Sequence, residues 1–440
     1  MENNFSTKEK LKVLLTRWFE FKPPKLIHRE FNYSLLNSSS ILSIVGVRRC
    51  GKTFLLYQIM EKLKIPRENI VYLNFEDEIL YPLAGDELHN LLSVYFENFS
   101  PDQGNKIYLL LDEIQNIPNW EKWIRRVYDT QQNIKIIITG STSKLTGYEI
   151  GTSLRGRTIT FNLYPFSFKE FLNAKNFQFN HETIAYSKEK PFLIKHLNEY
   201  LEYGGFPQIT FEKIENRNLI LQEYYRAIFY RDIVEKYSIR NVKLLDSFLK
   251  LIISNTSSLV SFSKAENILK TIGFKVSKST LIEYMNYLTS CFLCFVVPIF
   301  SYKIKDQLQY SRKIYNIDTG LTNAINFKFS KDTGKVYENA VFLELKRRGE
   351  EEIYYWKNRA GKEVDFIIKK GLVPYQLIQV CSNFDSLHTK EREIKAIISA
   401  MEEFKLKEGL VITEDYEENI KVGNKKIRLT PLWKWLLEIK

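Results

Sequence analysis

Short apolar runs alternate with amphipathic segments between residues 41 and 165. The first run, ILSIVG at 41–46, is followed by TFLLYQIMEKL at 53–63, in which apolar residues recur at helical spacing. Strands that are apolar throughout and alternate with helices are typical of a parallel sheet covered on both faces, so we predict an α/β fold here. The same alternation predicts further strands at 69–75, 106–113, 134–140 and 157–164, and further helices at 86–99 and 119–130.

The rest of the chain has other patterns. After a basic N-terminal arm and the α/β core, a helical stretch is broken by the turn YGGFP at 203–207. Three helices and two β runs then predict a winged helix, and the last block predicts a helix, three strands, a helix and a strand. We therefore expect an arm (1–35), an α/β core (36–165), a helical lid (166–240), a winged helix (241–328), a linker (325–335) and a C-terminal α/β domain (335–440).

Basic residues are in excess in this chain. A net charge of +12 and an isoelectric point near 9.1 favour a polyanionic partner, such as nucleic acid, a nucleotide or an acidic membrane surface, although an inert basic surface has the same totals. Four cysteines in 440 residues exclude a disulfide framework and suit a reducing compartment. Cys291 and Cys294 lie in an apolar run without a second pair nearby, so we interpret them as strand residues and not as zinc ligands.

The N-terminus and the lengths of the apolar runs bear on location. The opening residues contain early acids and no apolar signal core, and no run approaches the roughly 20 residues of a membrane helix. We expect a cytoplasmic protein without a membrane partner.

A phosphate-binding motif lies between the first predicted strand and the first predicted helix of the core. GVRRCGKT at 46–53 matches G-x4-G-K-[ST], in which backbone N–H groups and a helix N-terminus surround the phosphates. Lys52 is expected to reach the β- and γ-phosphates, and the Thr53 hydroxyl to bind Mg²⁺. The predicted nucleotide-binding residues of this loop are Gly46, Val47, Arg48, Arg49, Cys50, Gly51, Lys52, Thr53 and Phe54.

Two acids end the strand IYLLLDE. In open α/β sheets ligands bind at the carboxyl ends of strands, which is where this run places Asp112 and Glu113. We predict Asp112 as a second Mg²⁺ ligand and Glu113 as the residue that orients the attacking water. The strand at 134–140 also ends in polar residues, and Ser141 is our candidate for sensing the γ-phosphate.

Arg155 and Arg157 precede the last strand of the core. An arginine can stabilise transition-state charge in its own chain or in a neighbouring subunit, although surface arginines are more often only solvated.

The phosphate-binding motif, the acidic pair, the strand with a polar end and the two arginines follow one another in the same order as in the AAA+ superfamily of P-loop ATPases, which this chain resembles. An archaeal and bacterial branch is more similar still, and the resemblance covers most of residues 36–240. It implies ATP hydrolysis, and a ring or other oligomer in which an arginine of one subunit completes the site of its neighbour. In such a protein Arg226 and Arg231 become candidates for a lid contact to the nucleotide, with helix packing or surface pairing as the alternative. The motifs that carry the resemblance are GVRRCGKT (46–53), NFED (74–77), LDEIQ…W (111–120), ITGS (138–141), GR…PFSFKEF (156–171) and YGGFP (203–207).

The third helix of the predicted winged helix could enter a DNA major groove. Lys275 and Lys278 flank its start, and Tyr284 or Tyr287 could stack on a base or contact phosphate. Such domains also serve as protein contacts, and the sequence leaves both alternatives open.

The last domain resembles the restriction-endonuclease-like nucleases. Glu338 matches the helical glutamate of that family, and Asp365 matches its strand aspartate. Gln379 and Cys381 stand where the family carries Glu and Lys, so the residues form a degenerate metal site in which a neutral amide replaces a carboxylate. Lys390 or Lys395 could replace the missing lysine. We favour a domain that binds DNA or a protein over an active nuclease.

The sequence therefore predicts an ATPase that uses ATP and Mg²⁺, self-associates and is coupled to DNA. The first alternative is an ATP-dependent nuclease that acts through the C-terminal domain. The second is a nucleotide-switched signalling or defence scaffold.

Overall fold

The computed structural model describes residues 6–80, 85–141, 154, 156–326, 332–382 and 387–438. It divides into two compact units, residues 1–163 and 164–440. Within the described residues, no helix is long and apolar enough to cross a membrane.

The first unit is built on five parallel strands in the order β2-β3-β4-β1-β5. Every residue of β1 and β4 is buried, as expected for inner strands covered on both faces. The predicted parallel α/β sheet is thus confirmed. Its strands are β1 Ile41–Val45, β2 Ile70–Asn74, β3 Ile107–Asp112, β4 Ile134–Gly140 and β5 Thr158–Asn162, and its helices include Lys52–Leu63, His89–Asn98 and Trp120–Thr130.

Strand order determines which strand ends meet. Strand β4 lies between β1 and β3, with Val45 beside Gly140 and Leu111 beside Ile138. The residues that follow β1, β3 and β4 therefore come together at one edge of the sheet.

The N-terminal arm contains a folded helix, Thr7–Glu20. Ser6 and Glu9 form a reciprocal capping box at its start, which satisfies backbone N–H groups that would otherwise lack partners. Trp18 is buried, and its Nε1 donates to the Ile70 carbonyl oxygen over 3.1 Å. The helix belongs to the first unit because its buried side chain covers the start of β2.

The second unit begins with helices. A turn at Gly204 and Gly205 joins two of them, and Gly204 has a φ of 77°. Asp318, far along the chain, accepts the Gly205 N–H over 2.7 Å. A side chain on Gly204 would collide with the Asp318 carboxylate, so the turn needs glycine. The helices are Phe168–Ala174, Lys190–Tyr203, Pro207–Phe211, Ile214–Ala227 and a π-helix, Ile228–Glu235.

A small antiparallel sheet, in the order β6-β8-β7, accompanies three helices of the same unit. The three helices and two of the strands lie where the pattern predicts them. The short β6 and the helices Ile304–Gln309 and Thr319–Ile325 were not predicted. These elements are the helices Val242–Ser254, Phe262–Thr271, Lys278–Ser290 and Thr319–Ile325, and the strands β6 Ser258–Val260, β7 Cys294–Val297 and β8 Arg312–Asn316.

The C-terminal part forms a six-stranded mixed sheet in the order β13-β14-β12-β11-β10-β9. The pattern predicted one strand after the second long helix, whereas the structure has three strands and a short helix. Strand β13 was missed because it is mostly exposed and lacks apolar alternation. The elements are Thr333–Arg347, β9 Ile353–Lys357, β10 Glu363–Lys370, β11 Val373–Cys381, Leu387–Glu403, β12 Glu408–Thr413, β13 Glu418–Val422, β14 Lys425–Pro431 and Leu432–Leu436.

Candidate functional site

The phosphate-loop segment joins β1 to the helix Lys52–Leu63. Gly51 has a φ of 102°, a conformation that residues with a side chain rarely adopt. A Cβ atom on Gly46 would lie 2.2 Å from the Leu163 carbonyl oxygen. Glycine is therefore required at both of these positions by the local backbone.

Asp112, the last residue of β3, is fully buried. Thr53 Oγ1 donates to its Oδ2 over 2.6 Å, and Thr139 Oγ1, on the intervening β4, donates to its Oδ1. Burial raises the pKa of Asp112, although the two threonine hydroxyls counteract the rise. The structure thus brings Thr53 and Asp112, the two predicted Mg²⁺ ligands, into direct contact.

Glu113 adopts a left-handed backbone conformation with a φ of 53°. Its Oε1 lies 3.1 Å from Lys52 Nζ, and its Oε2 accepts a hydrogen bond of 2.5 Å from Gln115 Nε2. Burial by itself would raise the pKa of Glu113, but the Lys52 ammonium holds it below its usual value. The lysine predicted to bind phosphate and the predicted catalytic acid therefore form a buried ion pair.

Ser141 directly follows β4 and is 2% exposed. Its hydroxyl has no hydrogen-bond partner among the described residues. Gly140, the preceding residue, accepts the Gly46 N–H over 3.4 Å, so Ser141 adjoins the phosphate loop. A buried hydroxyl without a partner costs about 1–3 kcal/mol, which a ligand oxygen at this position would recover.

The other predicted loop residues have different surroundings. Arg48 NH1 donates to Glu76 Oε1 over 3.0 Å, and Arg49 is exposed. Phe54 is about half exposed, whereas Cys50 is completely buried, which raises the pKa of its thiol. The Cys50 side chain is therefore a packing residue of the loop. Val47 is buried and offers its backbone only.

Arg157 lies at the opposite end of the sheet from the phosphate loop. Its carbonyl accepts the N–H of Ile41, which begins β1, and its guanidinium pairs with both Asp129 oxygens, at 2.9 and 3.2 Å. The five-residue β1 separates Arg157 from the phosphate loop of its own chain, so of the two predicted roles the geometry favours the one in a neighbouring subunit. Arg155 lies outside the described residues.

The candidate DNA-contact and lid residues of the second unit differ in their exposure. Lys275 and Lys278 are exposed, as DNA contacts must be, and so are the lid arginines Arg226 and Arg231. Tyr284 is buried, so the prediction that it stacks on a base is wrong. Tyr287 stacks on the Tyr237 ring at 3.9 Å between centroids and donates to Glu283.

The degenerate nuclease residues do come together in the second unit. Gln379 Oε1 accepts the backbone N–H of Asp365 over 3.1 Å. Glu338 and Asp365 both bind the ammonium of Lys313, at 3.0 and 2.7 Å. Cys381 is buried in the apolar core of the sheet.

Lys313 is the functional candidate that the sequence interpretation missed. Neither proposed replacement lysine is at the centre, since Lys390 pairs with Glu418 and Lys395 with Glu391. The available signal was a lysine inside the apolar run RKIYNI, which a buried strand tolerates only when the charge is paired.

The edge of the first sheet fits a nucleotide with Mg²⁺. Lys52, Thr53 and Asp112 are a cation, a hydroxyl and a carboxylate suited to phosphate and a hard metal ion, and Ser141 has an unused hydroxyl. Bound Mg²⁺ would neutralise phosphate charge, and the residues to hold it are Thr53 and Asp112.

Comparison with known proteins agrees with this geometry. A family model described as an AAA domain matches residues 38–172, and models of two domains of unknown function, DUF8612 and DUF4143, match residues 194–332 and 333–435. The uncharacterized protein MJ1544 of Methanocaldococcus jannaschii is 42% identical over 427 residues, which cover 94% of this chain and 92% of that protein. An uncharacterized protein of Haemophilus influenzae is 31% identical over 371 residues, which cover 81% and 88% of the two chains.

Among solved structures, the Walker-type ATPase PABY2304 of Pyrococcus abyssi aligns with 74% of this chain and 97% of its own at 15% identity, with a TM-score of 0.45. Family membership is shown by the sequence matches. The chain belongs to the same family as MJ1544, and its first unit contains an AAA-type P-loop domain.

Proposed function

We propose that this AAA-domain protein is an Mg²⁺-dependent ATPase. Thr53 and Asp112 hold the metal, Lys52 binds the β- and γ-phosphates, Glu113 orients the attacking water, and Ser141 contacts the γ-phosphate. The observation that carries the proposal is the 2.6 Å hydrogen bond between Thr53 and Asp112, beside the buried Lys52. It supports a metal site at the phosphate loop because both oxygens are of the type that Mg²⁺ prefers.

The direct test is ATP hydrolysis by the purified chain with and without Mg²⁺. Lys52→Ala should abolish both nucleotide binding and turnover, because it removes the charge that faces the phosphates. Lys62→Ala, on the same helix but exposed, is the matched control and should retain the wild-type rate. Unchanged hydrolysis by Lys52→Ala would reject the proposal.

The ATPase is coupled to DNA in this proposal. The net charge of +12 supports it, as do three helices beside an antiparallel sheet, with Lys275 and Lys278 exposed at the start of the third helix. ATPase rates with single-stranded, duplex and branched DNA test the coupling. Lys278→Glu should weaken DNA binding and reduce its salt dependence, whereas binding that does not change would exclude this helix as the docking element.

Self-association is also proposed. Arg157 lies beside the opening residue of β1, remote from the phosphate loop of its own chain, which supports an arginine contributed by a neighbouring subunit. Molecular mass with and without nucleotide tests this. If DNA changes neither the ATPase rate nor the mass, the nucleotide-switched scaffold becomes the better function.

A further inference from the structure

The second unit contains a buried lysine among three acids. Lys313 Nζ lies 2.7 Å from Asp365 Oδ1, 3.0 Å from Glu338 Oε1 and 3.0 Å from Glu363 Oε1. The lysine is 3% exposed. The contacts with Asp365 and Glu338 are hydrogen bonds and the contact with Glu363 is an ion pair, so all three acids share the one ammonium.

The backbone of β10 directs one of these acids inward. The pairing of β10 with β9 shifts between Val364 and Ile367, so that Asp365 and Phe366 both lie opposite Tyr355. A bulge of this kind re-aims side chains. It is the local feature that places Asp365 against the lysine.

Two of the acids accept further hydrogen bonds. Asp365 Oδ2 accepts the Val380 N–H over 2.9 Å. Glu338 Oε1 accepts the Tyr315 hydroxyl over 2.6 Å in addition to the lysine. A metal ion could bind these oxygens only by displacing the ammonium and breaking several hydrogen bonds.

Gln379, the predicted third metal ligand, has both amide atoms occupied. Its Oε1 accepts the Asp365 N–H, and its Nε2 donates to Glu393 Oε2 over 2.8 Å. Within the described parts of the chain, no group of three or more His, Cys, Asp or Glu residues is arranged to hold a metal ion. The amide positions Asp365 and is not available as a ligand.

Charge balance favours a permanent ammonium at this point. Three carboxylates within 3.0 Å of Lys313 Nζ offset the cost of burying its charge.

We propose that Lys313 is the resident cation of this acidic centre, that it occupies the position a divalent metal would need, and that the C-terminal domain consequently does not cleave phosphodiesters. The ammonium instead joins β8 of the three-stranded sheet to β10 and the helix Thr333–Arg347. Backbone contacts reinforce the same junction, since Phe300 N–H donates to the Tyr355 carbonyl over 2.6 Å. This inference is independent of the ATPase proposal.

Metal binding gives the first test. The number of Mn²⁺ ions bound per chain without nucleotide is measured by electron paramagnetic resonance for the wild type and for Asp365→Asn. We expect equal numbers, because Lys313 excludes metal from Asp365. Loss of one Mn²⁺ per chain on the Asp365→Asn substitution would overturn the proposal. Sites at the phosphate loop do not interfere, since they are the same in both proteins.

Thermal unfolding gives the second test. Lys313→Ala leaves three acids buried without their cation, so the melting temperature should fall by on the order of 10 °C. Lys395→Ala, which removes an exposed pair in the same sheet domain, should shift it by less than about 2 °C. Equal melting of Lys313→Ala and wild type would contradict the proposal.

DNA cleavage distinguishes the rival role, in which Lys313 is the lysine of an active nuclease. Wild-type chain with Mn²⁺ should leave single-stranded, duplex and branched DNA intact. Cleavage that is lost in Asp365→Asn would overturn the inference while leaving the ATPase proposal untouched. This comparison also decides the matter if Lys313→Ala does not fold.

Discussion

Lys52 Nζ and Glu113 Oε1 lie 3.1 Å apart in a buried ion pair. The ion pair uses the ammonium that the phosphates of a bound nucleotide would contact and the carboxylate that the attacking water would contact. Lys52 Nζ also lies 3.3 Å from the Gly46 carbonyl oxygen, so bound phosphates would compete with Glu113 and with the loop for the three donors of the ammonium.

Glu113→Gln should separate binding from turnover. The neutral amide weakens the hold on Lys52, so the Kd for ATP should stay the same or fall a few-fold. Turnover should drop by about 100-fold or more, because the neutral amide holds the attacking water less firmly than the carboxylate does. Equilibrium binding and single-turnover hydrolysis check the two expectations. Glu61→Gln, which alters an exposed acid on the helix Lys52–Leu63, is the control. Full turnover by Glu113→Gln would refute the assigned role.

Asp112→Asn should affect metal use and stability in opposite directions. Losing the carboxylate should raise the Mg²⁺ concentration for half-maximal hydrolysis at least roughly 10-fold. The nucleotide-free protein should become more stable, because burial raises the pKa of Asp112 and a neutral side chain avoids that cost. Mg²⁺ titration and thermal unfolding measure these effects. Asp129→Asn should leave the Mg²⁺ requirement as it is in the wild type, and an unaltered requirement in Asp112→Asn would exclude Asp112 as a ligand.

Ser141→Ala should lower kcat about 10-fold while the nucleotide-free protein gains up to about 1 kcal/mol of stability. The gain is expected because the buried hydroxyl has no partner among the described residues, and the loss because its proposed γ-phosphate contact disappears. Steady-state kinetics and denaturant unfolding give the two values. Ser93→Ala, whose hydroxyl already bonds the Asn90 carbonyl, should not change kcat. A wild-type kcat in Ser141→Ala would mean that the Ser141 hydroxyl does not contact the γ-phosphate during hydrolysis.

Asp318 should make stability depend on pH. Burial raises its pKa to about 6 although Gly205 and Leu321 donate backbone N–H groups to it. Because the pKa of Asp318 is higher in the folded than in the unfolded chain, protonated Asp318 stabilises the fold. This stabilisation is fully present below about pH 4 and is lost as the pH rises through 6. The change is on the order of 3 kcal/mol. Asp318→Asn should flatten the pH dependence of the free energy of unfolding, as measured by urea unfolding from pH 4 to 7.

The matched control for that measurement is Asp306→Asn, which alters a partly exposed acid of the same unit. It should retain the wild-type slope. A slope that persists in Asp318→Asn would assign the pH dependence to another group.

Local patterns predicted most of the backbone. The five strands of the core lie on apolar runs bounded by helices, and the loop from Gly46 to Thr53 is recognisable because its residues are contiguous. Exposed β13 and the three-residue β6 escaped prediction, since strands that are solvated or very short leave little periodic signal. Tyr284 was assigned to the surface because helical spacing alone does not say which face a neighbouring helix covers.

By itself, the sequence determined the chemistry of the phosphate loop and the acids that end β3, because each is a run of neighbouring residues whose spacing is set by covalent geometry. Only the tertiary structure decided which distant side chains meet. It paired Lys52 with Glu113, kept Arg157 away from the loop of its own chain, and put Lys313 among acids 25 to 52 positions along the chain. Those contacts depend on strand order and packing between elements, which no local spacing encodes.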